Sequence, residues 1–390
     1  MERRGRLDRI VEWIGIGPIA LHVFTAVRAA VALQWDFRAY LIAARVARAG
    51  IDPYVTANLA SESGRSLFPF VYPPIALLFF MPLAALPLAA AQTGWIAFKI
   101  VLLIGLVWLW KRVFVPGVSL FPLVLLAVFG WGQSALWDLR TGNVALIEAA
   151  LVWSALAFYV CGRRTWFACL IVAAALFKLW PAFLLLLLLV PAGERGPQPR
   201  TFAIAALALG ALVWGPTWIG PAASWGNFLS QLPSATRLGG SSPSALGLAT
   251  MLVATRSAQD ATTTMVANAA WLAYLVVLAA VSLPFLRRLW AERDALRWAM
   301  SAVFLWVLIA PRPMAYGYAV LTPVPLFFSP RPFTGRLGTL LLAVVLSAQG
   351  LAQAARQGSS HPLILHSPFI LTLCVWLLVI NEKGAARSET

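Results

Sequence analysis

Long apolar runs separated by short polar joints fill most of the chain. One runs from Ile10 to Gln34, and a second from Tyr72 to Trp110, interrupted at Pro82 and at Leu86-Pro87. Proline removes a helix hydrogen bond and clashes with the preceding turn, so the interruption predicts two spans joined by a tight turn. Further apolar blocks lie near 118–137, 143–161, 166–191, 201–219, 266–286, 298–310, 314–328, 337–353 and 368–380. A bilayer core about 30 Å thick takes roughly 20 apolar residues per helix. The pattern predicts an all-α polytopic membrane protein of about 12 transmembrane helices. Residues 1–390 read as a single transmembrane domain without an internal repeat.

Two long stretches break the apolar pattern. The first, residues 35–70, opens with an amphipathic segment, 36–50, ended by Gly50 and Pro53. Phe37, Leu41 and Ala44 share one side, while Arg38, Arg45 and Arg48 can reach anionic headgroups. The second, residues 221–265, is rich in Gly, Ser, Thr and Pro. Arg287-Arg288, the run Glu292 to Arg297, Arg331, Arg336 and Lys383 mark cytoplasmic connections, because Lys and Arg collect on that side. Both stretches then become large extracytoplasmic loops. Lys111-Arg112 and Arg163-Arg164 cannot both be cytoplasmic unless a block between 73 and 191 re-enters or breaks, and Lys178-Leu-Trp-Pro181 is one candidate break. The basic N-terminus precedes an apolar run longer than a secretory signal core, which favours an uncleaved first span over cleavage near Ala32.

Composition agrees. The 390 residues are 61% apolar and only 11% charged, where about a quarter is usual. Disorder, coiled coils and soluble secreted scaffolds are excluded, and the composition argues against a soluble Rossmann or barrel enzyme. The net charge of +16 fits lysines and arginines at cytoplasmic loops and lipid headgroups, so the expected partners are membrane lipids and not nucleic acid. The 18 Trp and 22 Phe read as interfacial belts, and the three cysteines show no metal or redox spacing. Walker, zinc-protease and nucleophile-elbow motifs are missing, which removes support for a nucleotide-driven pump, a zinc protease and a hydrolase-fold esterase.

Most of the 14 acids fall in terminal or cytoplasmic segments, leaving Asp36, Asp52, Glu62, Asp138, Glu148 and Asp260. Asp36 follows Trp35 at the outer end of the first span, at headgroup level. It can act as general base on an acceptor hydroxyl, or cap the helix that begins beside it. Asp52 before Pro53-Tyr54 reads as a turn residue, and Asp138 with Arg140 as a local surface pair. Glu148, inside an apolar block, lines a cavity or marks a proton path. Lys178 lies three residues before Pro181, where a cation at a helix break suits a phosphate diester and snorkelling is the competing view. Arg312 sits on a Pro-rich outer loop from which a guanidinium can fork onto phosphate or anchor at the interface. His22 falls in the first span, while His361 and His366 look like loop residues.

An ordered set of motifs runs Asp36-Phe37-x-x-Tyr40, Gly50-x-Asp52-Pro53-Tyr54, Phe70-Val-Tyr72-Pro73-Pro74, Pro82-Leu83, Leu86-Pro87, Gly142-Asn143 and Lys178-x-x-Pro181. It resembles glycosyltransferase family 87, membrane-embedded C-type transferases that use polyprenyl-phosphate sugars and include bacterial mannosyltransferases. The resemblance is clear over about residues 35–190 and thin thereafter. Members often show Gly-Gln-x-Asn where this chain has Thr141-Gly142-Asn143, and many carry a histidine where this chain has Ala310 to Tyr316, which leaves the sugar open.

The resemblance implies a C-type glycosyltransferase fold and a sugar, mannose or another hexose or pentose, passed from a polyprenyl-phosphate donor to a lipid or glycan acceptor. It implies Asp36 as the catalytic base, with Arg38, Tyr40, Tyr72, Asn143, Lys178, Arg312 and Tyr316 as substrate-binding residues. It places the protein in a bacterial inner membrane with its active site facing outward. No ligand cluster demands a metal and no cofactor is expected. The alternative is a transporter or flippase of a lipid-linked or anionic substrate, motivated by Glu148 and Lys178 at membrane depth.

Overall fold

The computed structural model describes residues 17, 19–64, 68–194, 196–214, 225–237, 242–253, 261–328 and 362–381. Helix makes up 81% of the structure and no strand occurs among the described residues, so the class is all-α as the apolar pattern predicts. Helices α1 (19–32), α2 (Trp35–Arg48), α3 (Thr56–Ser63) and α4 (Ala76–Ala84) lead into α5 (Leu88–Leu109), which ends in a π turn at Trp110–Phe114. Then come α6 (Leu120–Thr141), α7 (Ala145–Val160), α8 (Arg164–Ala175) and a 3-10 helix, Trp180–Leu189. Next are α9 (Pro199–Trp214), α10 (Trp225–Arg237), α11 (Ala245–Val253), α12 (Ala261–Glu292) and α13 (Ala295–Ile309). A second 3-10 helix (Ala315–Leu321), α14 (Val324–Phe328), a turn at Pro362–Leu365 and α15 (Ser367–Asn381) complete the order. The apolar block 337–353, Asp260, Arg331, Arg336, His361 and Lys383 lie outside the described residues, as does part of the stretch 221–265.

Three helices among the described residues are long and apolar enough to cross a bilayer: Leu88–Phe114, Leu120–Thr141 and Thr262–Glu292. Among the described residues the expected 12 spans do not all appear as full-length helices. The remaining apolar blocks fold as shorter pieces; α4, read from sequence as a span, has nine residues and is about 13 Å long at 1.5 Å per residue. A hydrocarbon setting still explains the surface. Along α12, Met265, Leu272, Val276 and Val277 are all more than half exposed, a contiguous apolar face that water would penalise and lipid would not.

Two blocks between 73 and 191 are broken. The break foreseen at 178–181 is present: α8 stops at Ala175, and the chain resumes as a 3-10 helix with Pro181 in its first turn, where no N–H donor is required. A second break was not foreseen. Inside α6, Trp131, Gly132 and Gln133 take left-handed φ of 47°, 73° and 61°. Such conformations in non-glycine residues cost of order 1–3 kcal/mol each and persist only when their surroundings hold them. Here Trp131 Nε1 donates to Thr372 Oγ1 at 2.9 Å, and His22 Nε2 lies 3.0 Å from Gln133 Oε1. His22 thus serves as a half-buried tie between α1 and α6.

Helix α2 ends at Arg48, close to the boundary read from Gly50 and Pro53, but it is not a surface helix. Phe37, Ala39, Tyr40, Leu41, Ile42, Ala43, Ala44 and Val46 are all buried, covering most of its circumference. Arg45 turns inward instead of reaching headgroups: its Nε and Nη2 donate to the carbonyls of Ala84 and Leu86, both at 3.1 Å. Those carbonyls close α4 and would otherwise lack partners. The core around α2 gathers Tyr54, Phe70, Tyr72, Phe80, Trp95, Trp225 and Phe228. A larger core, centred on Trp110, Trp153, Phe304 and Trp376, joins α5 to α8 with α13 and α15. His366, read as a loop residue, is fully buried at the turn before α15.

Candidate active site

The site begins where α1 hands over to α2. Gln34 adopts φ 42°, its N–H donates to the Arg140 carbonyl at 2.9 Å, and its Nε2 donates to the Leu139 carbonyl at 2.7 Å. This clamp fixes the start of α2 against the end of α6. Asp36 falls in the first turn of α2 and makes no capping bond; Gln34 is the N-cap residue, so the capping reading does not hold. The positive end of the helix dipole favours a carboxylate there.

Asp36 does not stand alone. Asn143 Nδ2 donates to Asp36 Oδ2 at 2.8 Å and lies 2.8 Å from the Tyr40 hydroxyl and 2.9 Å from the Tyr72 hydroxyl. The two hydroxyls are 2.7 Å apart, with the rings edge-to-face. The amide supplies two protons and the tyrosines one each. One hydroxyl proton serves the tyrosine–tyrosine bond, which leaves the other hydroxyl able to donate to a bound oxygen. Three residues distant in sequence thus converge on one side chain.

Each tyrosine is fixed from behind. Asp52 Oδ1 accepts from the Tyr54 N–H at 2.8 Å, an Asx turn as its place before Pro53 suggests. Tyr54 then donates its hydroxyl to the Tyr72 carbonyl at 2.9 Å. Tyr40 is held among Phe70, Tyr72 and Phe80.

Asn143 is positioned by the tight joint between α6 and α7. Gly142 adopts φ 77°, and a Cβ on it would meet Phe37 Cβ and Gln34 Oε1 at 2.6 Å, so only glycine fits. Trp95 Nε1 donates to the Gly142 carbonyl at 3.0 Å. Beneath lies an ion pair that the sequence reading missed. Asp138 is no surface partner of Arg140: it is fully buried and pairs with the equally buried Lys99 at 2.5 Å. Lys99 also donates to the Asp138 and Asn143 carbonyls, the latter at 2.8 Å. A lone lysine inside the apolar run of α5 was the available signal, since a charge at membrane depth requires a partner.

The cations are arranged unequally. Lys178 donates to Glu148 Oε2 at 2.9 Å and lies 5.4 Å from the centre of the Tyr316 ring, so the two ionisable residues at depth form a pair. Arg312 is half-buried, and its Nε is buried without a hydrogen-bond partner. Ser242 and Ser244 donate to the carbonyls of Pro313 and Pro311, both at 2.7 Å, which fixes the loop that carries it. Tyr316 lies within electrostatic reach of Asp36, Tyr72 and Arg312. Arg38 Nε lies 2.7 Å from the Gln92 amide oxygen when that amide is oriented to accept. Asp36, Tyr40, Tyr72, Asn143, Lys178, Arg312 and Tyr316 are therefore brought together. Among the described residues no three His, Cys, Asp or Glu side chains converge as a metal site.

Burial pushes the Asp36 carboxyl up to about 6. The Asn143 hydrogen bond opposes the rise, the Asp138 charge adds to it, and Lys99 and Lys178 pull it down. A carboxylate tuned into this range is ionised at neutral pH yet more basic than an exposed aspartate. With Oδ2 held by Asn143, Oδ1 is left to take a proton.

The model of glycosyltransferase family 87 matches residues 70–311, well over half of the chain. The matched range takes in Tyr72, Lys99, Asp138, Asn143, Glu148 and Lys178 and reaches much further than the resemblance read from the motifs, while leaving out residues 35–69. Asp36 and Tyr40 lie before it and join it through Asn143. No curated protein and no solved structure was found to match the chain.

Proposed function

The chain belongs to glycosyltransferase family 87 and is a membrane glycosyltransferase, and we propose that it passes a sugar from a polyprenyl-phosphate donor to a lipid or glycan acceptor, with inversion at the anomeric carbon. The observation that carries this reading is the Asp36–Asn143 pair set beside two tyrosine hydroxyls and within electrostatic reach of Lys178. Asp36 Oδ1 takes the acceptor hydroxyl proton as the acceptor oxygen bonds to the anomeric carbon. The bond from that carbon to the phosphate oxygen breaks on the opposite face, and polyprenyl phosphate leaves with the electron pair. A phosphate needs no proton to depart, so one carboxylate suffices.

Charge developing on the phosphate needs a preorganised cation. Arg312 is suited to it, because Lys178 already has Glu148 as its counter-ion. The remaining tyrosine proton orients a sugar or acceptor oxygen. The sugar is mannose or another hexose or pentose. The protein belongs to a bacterial inner membrane, with the site on the outer face, where the Lys and Arg pattern puts residues 35–70.

The test is transfer by purified protein offered a panel of polyprenyl-phosphate sugars and lipid-extract acceptors, beside Asp36→Asn. Turnover that vanishes in the variant while folding persists is expected. Near-normal turnover in Asp36→Asn would remove Asp36 as base. Protein-dependent movement of intact lipid-linked substrate in proteoliposomes, without transfer, would favour the transporter reading.

A further inference from the structure

We propose that the Lys99–Asp138 ion pair is the positioning device of the site, holding the Asn143 amide onto Asp36. The proposal rests on the transferase reading above and adds to it two residues that touch no substrate.

Both side chains are without exposed surface. The Lys99 ammonium donates to the Asp138 and Asn143 carbonyls and forms its ion pair with Asp138 Oδ2. Asp138 Oδ1 accepts from the Ala145 N–H at 3.1 Å. The pair therefore grips the backbone on both sides of Asn143 and at Asn143 itself. Thr141 Oγ1 takes the Asn143 N–H at 3.2 Å, and Trp95 takes the Gly142 carbonyl. The backbone around Asn143 is thus held at several points, and from it the amide nitrogen reaches Asp36, Tyr40 and Tyr72.

Stability alone is a poor account of the pair. The desolvation cost of two buried charges commonly cancels their attraction, and apolar replacements of similar volume are often neutral or stabilising. An apolar pair would fill the space but would lack the directed donors that hold the Asp138 and Asn143 carbonyls. The pair also matters electrically: Asp36 feels Asp138 and Lys99 with opposite signs.

The experiment is a double-mutant cycle on the purified full-length protein, with transfer measured for wild type, Lys99→Met, Asn143→Ala and the two together. Lys99→Met/Asp138→Leu and Lys99→Arg are added as a folding-competent control and a rescue. If the pair acts through Asn143, each single change lowers kcat by about 100-fold, the size of a small misplacement of reacting groups. The double variant is then no worse than the poorer single one within about threefold, because both remove the same constraint. Lys99→Met/Asp138→Leu unfolds near the wild-type temperature yet keeps the kcat loss with donor KM little changed, and Lys99→Arg restores part of the activity. Multiplied losses in the double variant, or wild-type kcat in Lys99→Met/Asp138→Leu, would overturn the positioning role.

Asp36→Asn separates the two readings. Turnover surviving there removes the base, whereas lost turnover combined with multiplied cycle losses removes only the positioning pair. The cycle has a second readout without turnover, the pH dependence of unfolding that Asp36→Asn abolishes. Asp36 is faced by Asn143, Asp138, Lys99, Tyr40, Tyr72, Tyr316 and Lys178, the last paired with Glu148. Both Lys99→Met and Asn143→Ala should move that dependence to higher pH, and an unmoved Lys99→Met would count against the proposal.

Discussion

Two regions of the molecule treat a buried environment in opposite ways. At the junction of α2, α5, α6 and α7, two fully buried charges, a buried amide and two buried tyrosines are each tied to named partners. Between the Trp180–Leu189 helix, α12 and α13 lies instead a cavity of about 390 Å³, lined by Phe183, Leu187, Leu278, Leu286, Leu305 and Trp306 among others. The hydroxyl of Ser282 at its wall is already taken by Trp376 Nε1 at 3.0 Å. None of the residues of the Asp36 cluster lines this apolar cavity. Charges at membrane depth are costly without a use, so a cluster of buried charged and hydrogen-bonding groups points to function where an apolar cavity by itself does not.

The comparison breaks or sharpens with four substitutions. The largest effect is expected from Asp36→Asn, which should lower turnover by up to about 10⁴-fold, the upper range for loss of a general base. The same change should raise the unfolding temperature at pH 7.5. A carboxyl pushed from 3.8 to about 6 in the folded protein stabilises the fold below pH 4 and loses that contribution as pH rises through 6. Asparagine does not titrate, so the gain over wild type should vanish by about pH 4. Thermal unfolding at the two pH values checks this.

Asn143→Ala should come next, costing about 100-fold in kcat/KM by releasing the base from its orientation. Wild-type kcat/KM should fall on the acid side of about pH 6, where Asp36 takes up a proton. Because the Asn143 bond holds the Asp36 pKa down, its loss should shift that acid limb to higher pH. An unchanged limb would show that some other group titrates.

Gly142→Ala should act through backbone strain. A φ of 77° and contacts of 2.6 Å predict a loss of about 1–3 kcal/mol in stability, with turnover falling as Asn143 shifts. Ala302→Leu, which fills part of the apolar cavity, should have the smallest effect, less than about 1.5 kcal/mol on stability and under about twofold on kcat. A cavity substitution that costs as much turnover as Asn143→Ala would erase the distinction between the two regions.

Much of this was legible before any coordinates. The apolar blocks near 118–137, 143–161 and 298–310 match α6, α7 and α13 closely, because helix length and apolar content are properties of a local run. Lys178 stands out by its distance to Pro181, and Asp36 by its place beside a span end. Lys99 is hidden inside an apolar run, and Asp138 reads as the partner of Arg140, its near neighbour in sequence. The cause is the same for both: a sequence shows that a buried charge needs a partner but not which helix delivers it. The left-handed turn at Trp131–Gln133 was hidden for a related reason, since contacts to Thr372 and His22 hold it, both far away in the chain.

What the sequence determined by itself was the solvent, the helical class and the stations at which charge interrupts the apolar runs. Those follow from transfer energies summed residue by residue, which need no knowledge of neighbours. What only the tertiary structure decided was who meets whom: Asn143 with Asp36 across 107 positions, and Lys99 with Asp138 across 39. A bonded partner must lie within about 3 Å, and helix packing, not chain distance, sets which groups come that close.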